Sequence, residues 1–230
     1  MKPDYEHKPI CITGTARSGA SMIAGILDIC GAFGGSCFEK PNNSSPRSLM
    51  ENKKIHDKIL LPYFQKFNAD SFAQYPLPKI DDLVLPFDWQ SRVLKTLHDD
   101  GYKGDRPWFY KSPKLALTYP VWNYAFPNAK WVIVRRRTGD ILDSCLKTGY
   151  MKAFKKEKNE RDCWKWYVHE FENRFVSMMT EGLNVRTLWP ERMVNGDYGQ
   201  LYDTIDWLGL KWKTEILSYI DPKFWKVRRR

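Results

Sequence analysis

The apolar residues of this chain fall into short continuous runs and longer periodic stretches. Pro9 to Thr13 is the first run, short and largely apolar, as in a strand buried on both faces. A glycine-rich turn follows from Gly14 to Gly19. Beyond it Met22, Ile23, Ile26, Leu27 and Cys30 recur at helical spacing, and Gly31 marks the stop. The chain opens as strand, loop and helix.

The same reading predicts an ordered surface loop over 32–47, rich in Gly, Asn, Ser and Pro, and then a helix from Ser48 to Phe67. Pro76, Pro78 and Pro86 predict an irregular stretch over 68–88. Next come a helix from Trp89 to Asp99, a strand from Trp108 to Tyr110, and a helix that begins at Ser112-Pro113 and runs toward Phe126. Lys130 to Val134 is the clearest strand and leads into a helix from Thr138 to Thr148. A long helix from Glu160 to Glu181, a strand from Val185 to Leu188 and a helix from Tyr198 to Leu208 complete the pattern. Strands alternating with helices imply the α/β class: three layers, a mostly parallel central sheet flanked by helices, in one domain over 1–230. In such folds ligands gather at the carboxyl ends of the strands.

Composition changes the picture of the partners more than that of the fold. Lys and Arg number 37 against 27 Asp and Glu, a net charge of +10 that favours anionic partners. Basic residues concentrate at Arg135–Arg137, Lys152–Lys158 and Lys223–Arg230. The five cysteines are odd in number and form no CxxC pair, which suits reduced thiols and a cytoplasmic protein. The N-terminal residues resemble no signal peptide, and no apolar run reaches the length of a membrane span. The four histidines show no ligand spacing, so no metal is expected.

Gly14-Thr15-Ala16-Arg17-Ser18-Gly19-Ala20-Ser21 joins the first strand to the first helix. Backbone N–H groups at a helix start are unpaired, and the helix dipole adds positive charge there, so phosphate or sulfate is the natural ligand. A loop that grips a nucleoside triphosphate needs Lys after its second Gly, then Ser or Thr for magnesium. Ala20 holds that place here, and the cation is Arg17. In the second motif Arg136, at a strand end, precedes Asp140 by four residues and Ser144 by eight. An arginine fork suits a phosphate monoester, and Asp140 and Ser144 share a helical face. Arg135 and Arg137 are the alternatives in a shifted register. The third motif is Tyr110-Lys111-Ser112-Pro113.

Together these motifs resemble the sulfotransferases that use 3′-phosphoadenosine-5′-phosphosulfate (PAPS), a family with a three-layer P-loop-type fold. Its phosphosulfate loop commonly reads Pro-(Lys or Arg)-Ser-Gly-Thr-(Ser or Thr). The resemblance implies that Gly14, Thr15, Arg17, Ser18, Gly19, Ala20 and Ser21 bind the 5′ phosphosulfate, with Ala16 and Ala20 departing from the pattern. Arg136 and Ser144 match the family's 3′-phosphate segment. Lys111 matches the (Lys)-(Ser or Thr)-Pro segment of bacterial and Golgi-type members. Asn43 to Asn52 is similar to an Asn-Pro-x-Gly-x-x-Glu-Asn segment, and Ile205 to Leu210 to a late helix.

The implied reaction moves a sulfuryl group from PAPS to a hydroxyl or amine of a small-molecule or glycan acceptor, leaving 3′-phosphoadenosine 5′-phosphate (PAP), with no metal. Arg17 and Lys111 stabilise charge on the leaving phosphate. Glu51 is the candidate general base, with Glu39 and His56 as alternatives. Two rival readings are a P-loop kinase using ATP and magnesium, and a basic nucleic-acid-binding protein on an inactive scaffold.

Overall fold

The computed structural model describes residues 4–38, 49–222 and 225. Its sheet has four parallel strands, β1 (Ile10–Thr13), β2 (Phe109–Lys111), β3 (Lys130–Val134) and β4 (Val185–Leu188), in the order β2-β1-β3-β4. The register pairs Ile12 with Lys111 on one side and with Val132 on the other, so all three strands end at nearly the same height.

Alternation along the strands feeds two cores. Ile10, Ile12, Phe109, Val132 and Val134 face one layer, which holds α1 (Ala20–Ile29), α10 (Gly199–Trp207) and α11 (Glu215–Tyr219). Cys11, Tyr110, Trp131 and Ile133 face the other, which holds α4 (Trp89–His98), α5 (Lys114–Leu117), α6 (Tyr119–Ala125), α7 (Thr138–Lys147) and α8 (Glu160–Thr180). Both faces of the sheet are therefore covered, and the three-layer α/β expectation holds. Among the described residues no helix is long and apolar enough to cross a membrane. All five cysteines are free thiols.

The structure alters three expected elements. The helix over Ser48–Phe67 starts only at Lys53, where the Asn52 side chain accepts from the Ile55 N–H and caps α2 (Lys53–Ile55). It then widens into a π-helical turn, His56–Leu60, before closing as α3 (Leu61–Gln65). The helix toward Phe126 breaks in two at Thr118, because Pro120 has no N–H to continue the ladder. The stretch over 68–88 contains a 3₁₀ turn, Ile80–Asp82. Two short helices, α9 (Pro190–Val194) and α11, escape periodicity because neither is long enough to show it. Ser48 and the tail residues 223, 224 and 226–230 lie outside the described residues, as does most of the expected loop over 32–47.

The aromatic residues are concentrated behind β2. Tyr110 stacks on Trp122 at 5.3 Å between ring centroids, Trp122 stacks on Phe126 at 5.9 Å, and Trp89 meets Trp122 edge-on. Trp122 is fully buried at the centre of this pile. Trp122→Ala should cost about 3–5 kcal/mol, seen in urea unfolding as a lower midpoint with an unchanged slope.

Candidate functional site

The loop after β1 is shaped by steric limits. A methyl group on Gly14 would collide with the Val134 carbonyl oxygen and with Ser18 Oγ, so only glycine lets the loop lie across the end of β3. Arg17 has φ of 71° and Gly19 φ of 99°. For arginine the left-handed backbone costs about 1 kcal/mol or more, and such strain persists only where surroundings enforce it. Here the Ala16 N–H donates to the Tyr167 hydroxyl (3.1 Å) and the Ser18 N–H to the Thr15 carbonyl (3.2 Å). Among the described residues no side chain caps helix α1, and Ser18 Oγ is buried without a partner. Backbone N–H groups at a helix start of this kind can receive an anion.

Beyond β3 the three arginines diverge. Arg135 pairs with Glu172, and Arg137 with Asp140 at 3.0 Å. Arg136 turns toward the loop, donating from Nη1 to the Arg17 carbonyl at 3.1 Å. Arg17 in turn donates from Nε to Ser144 Oγ (2.8 Å) and from Nη1 to the Tyr150 hydroxyl (3.2 Å). Arg17, Arg136 and Ser144 thus form one contiguous patch. The Trp225 ring lies 4.2 Å from the Arg136 guanidinium and packs against Gly19. Beside it, Arg135, Arg136, Arg137, Thr138, Glu172 and Trp189 line an open recess of about 480 Å³.

A second charged group sits at the end of β2. Lys111 Nζ is 3.6 Å from Glu51 Oε2, and Lys114 Nζ is 3.7 Å from Glu51 Oε1. Ser112 Oγ (2.9 Å) and the Tyr110 hydroxyl (3.3 Å) donate to the same Oε1. All three charged side chains are less than 10% exposed. Burial works to raise the Glu51 pKa, but Lys114 and Lys111 outweigh it and hold the carboxylate below its ordinary range. For Lys111, burial dominates and lowers the ammonium pKa despite Glu51. The Ser112 N–H donates to the Ile12 carbonyl and the Ala116 N–H to Thr13 Oγ1, tying this group to the end of β1.

Glu51 is held in place by a latch. Phe38 and Glu51 share a backbone hydrogen bond, as do Lys53 and Ser36. Asp100, with its side chain 1% exposed, accepts from the Ser36 N–H and Oγ (both 2.6 Å) and from Asn52 Nδ2 (2.9 Å), and pairs with Lys54 at 2.6 Å. A further staple joins two loops. Gln74 Nε2 donates to the Tyr150 carbonyl, while its Oε1 accepts from the N–H groups of Lys152 and Ala153.

No family model matches this chain, and no curated protein matches it by sequence. Solved structures do. The sulfotransferase domain from the curacin biosynthetic pathway superposes with a TM-score of 0.60 at 17% identity, over 92% of this chain and 77% of that one. Sulfotransferase STF9 from Mycobacterium avium gives 0.59 at 12% identity, over 95% and 67%. The sulfotransferase domain of the Synechococcus PCC 7002 olefin synthase gives 0.57 at 15%, over 97% and 88%. The chain has the sulfotransferase fold.

Within this sulfotransferase fold, Gly14, Thr15, Arg17, Ser18 and Gly19 lie between β1 and α1, Ala20 and Ser21 open α1, and Arg136 and Ser144 contact Arg17. Ser21 Oγ donates to the Leu49 carbonyl, which joins the helix start to the segment carrying Glu51. Lys111 and Glu51 form the neighbouring group. His56 opens the π-helical turn, 2.8 Å from Asp57 and edge-on to Phe38. Glu39 and the Asn43–Ser48 part of the Asn43–Asn52 segment lie outside the described residues. Sequence reasoning missed Lys114, Tyr150 and Trp189. Lys114 had a signal, its place three residues after Lys111 across a helix start. Tyr150 and Trp189 had none. Among the described residues no cluster of His, Cys, Asp or Glu is arranged to hold a metal.

Burial alone would raise the Asp100 pKa, but Lys54, Ser36 and Asn52 together hold it at about 2, below its ordinary 3.8. A depressed pKa stabilises the fold above the unfolded value and loses that contribution as pH falls through the folded one. The latch should therefore be fully effective above about pH 4 and fail toward pH 2. Asp100→Asn should lower the melting temperature at pH 7 and flatten its decline between pH 4 and 2.

Proposed function

We propose that this protein is a sulfotransferase that uses PAPS and releases PAP. The observation that carries the reading is the convergence of Arg17, Arg136 and Ser144 on one patch at the carboxyl ends of β1 and β3. An uncapped helix start with glycine at φ of 99° offers backbone N–H groups to one anionic group. Arg136 and Ser144 offer a second anion site a short distance away. Two linked anion sites fit a bis-phosphorylated nucleoside. Ala20, in place of lysine, fits poorly with a nucleoside triphosphate held through magnesium.

PAPS, when bound, supplies the sulfuryl group that passes to an acceptor hydroxyl or amine. In this reading Arg17 and Lys111 stabilise the negative charge that grows on the departing phosphate. Glu51, 3.6 Å from Lys111, belongs to the same centre. The 480 Å³ recess, with the Trp189 ring on its wall and Arg136 and Thr138 beside it, would take the nucleoside. The acceptor, a small molecule or glycan, would meet the irregular stretch over 68–88, where Phe72 and Phe87 are exposed. Five free thiols suit the reducing cytoplasm.

Thermal-shift titration with PAP, with ATP plus magnesium, and with an oligonucleotide tests the donor. PAP without metal should stabilise the protein by several degrees and the other two should not. A shift with ATP and magnesium but none with PAP overturns the reading. Arg136→Ala should weaken PAP binding about tenfold or more by calorimetry, the loss of one charge-assisted contact. Arg17→Ala should lower transfer of label from PAPS by about a hundredfold. Undiminished transfer in both Arg17→Ala and Lys111→Ala would remove the assigned roles.

A further inference from the structure

Glu51 is a single carboxylate placed between two buried ammonium groups. Lys111 reaches one of its oxygens and Lys114 the other, at 3.6 and 3.7 Å, and the two lysine side chains are 6% and 5% exposed. Two positive charges against one negative leave a surplus of one positive charge in this trio. A buried charge without a counter-charge is costly, so a site of this kind is completed by an anion. Lys114 also stands at the first turn of α5, where backbone N–H groups gather and a cation gains nothing from the helix. Neither burial nor helix formation favours a lysine there, and Glu51 alone is already matched by Lys111.

Among the described residues the other neighbours do not cancel the surplus. Ser112 and Tyr110 donate to Glu51, His56 lies within electrostatic reach of it, and the Cys37 thiol near Lys111 is pushed up to about 11 and stays neutral. The trio is tied to the end of β1, beside the loop that carries Arg17, through Ser112 N–H and Ala116 N–H.

We propose that Lys114 and Lys111 form a subsite for a tetrahedral oxyanion, the transferring sulfuryl group, and that Glu51 positions the two ammonium groups rather than removing the acceptor proton. The proposal rests on the sulfotransferase reading and adds to it a second lysine and a different task for Glu51. Glu51 already accepts two hydroxyl hydrogen bonds on Oε1 and faces an ammonium group at each oxygen, so little of its basicity is left for a substrate. Its carboxylate sets the spacing of the cations, and the cations meet the sulfuryl oxygens.

Calorimetric titration of PAP and PAPS, without acceptor, into wild type, Lys114→Met, Lys114→Arg and Glu51→Gln tests this. PAPS differs from PAP by the sulfuryl group alone, so the ratio of their affinities reads the subsite. Lys114→Met should lose about tenfold in PAPS affinity and less than twofold in PAP affinity. Lys114→Arg should recover most of the loss, and it keeps the charge should the Met variant fold poorly. Glu51→Gln should lower transfer but keep the shape of its pH profile between pH 6 and 9, whereas loss of a general base would change that shape. Equal weakening of PAP and PAPS by Lys114→Met, or none, overturns the subsite. A changed profile in Glu51→Gln overturns the positioning role. If wild type binds neither nucleotide, the sulfotransferase reading itself falls, and the subsite with it.

Discussion

Parallel pairing of β1 with β2 and β3 sets every distance in the candidate site. Backbone hydrogen bonds set Lys111 level with Ile12 and Val132, so the three strand ends lie close together. Each strand end leads into a charged or sharply turning segment: the loop with Arg17, the Lys111–Lys114 corner, and Arg135–Arg137. A one-residue slip of β2 against β1 would reverse its faces, sending Phe109 out of the α1 layer and Tyr110 out of the aromatic pile. Hydrophobic burial on both faces makes that slip expensive. The cations are positioned by the core rather than by each other.

Against that rigid base, the loop itself stores strain. Arg17 adopts a left-handed backbone while its side chain is held by Ser144 and Tyr150 and its carbonyl by Arg136. Two like charges are thereby kept close, with Asp140 and Glu191 favouring the Arg136 charge from nearby. The neighbouring group solves the same problem differently, placing Glu51 between Lys111 and Lys114. One assembly leans on backbone carbonyls and hydroxyls, the other on a buried counter-ion.

The strands were legible because both faces of the sheet are buried, leaving continuous apolar runs such as Trp131 to Val134. Long helices announced themselves by period, and Gly31, at φ of 97°, ended α1 where the chain needed a left-handed residue. The start of α2 was not legible. Asn52 and Ser48 are both good caps in isolation; Asn52 takes the role, and its amide also donates to Asp100, forty-eight residues away. For the site, residues joined by short spacing could be grouped in advance: Arg17 with Ser18 and Gly19, Arg136 with Ser144. Contacts across long separations could not. Nothing in the sequence says that Tyr150 meets Arg17 or that Lys114 shares Glu51 with Lys111.

The Gln74 staple has a reach beyond its own turn. Three hydrogen bonds fasten residues 150–153 to the irregular stretch over 68–88, and the Tyr150 hydroxyl carries that attachment to Arg17. The irregular stretch is therefore geared to the loop that carries Arg17. Diversification of the outer loop, whether by evolution or by design, would detune the loop after β1 unless the amide at position 74 were spared.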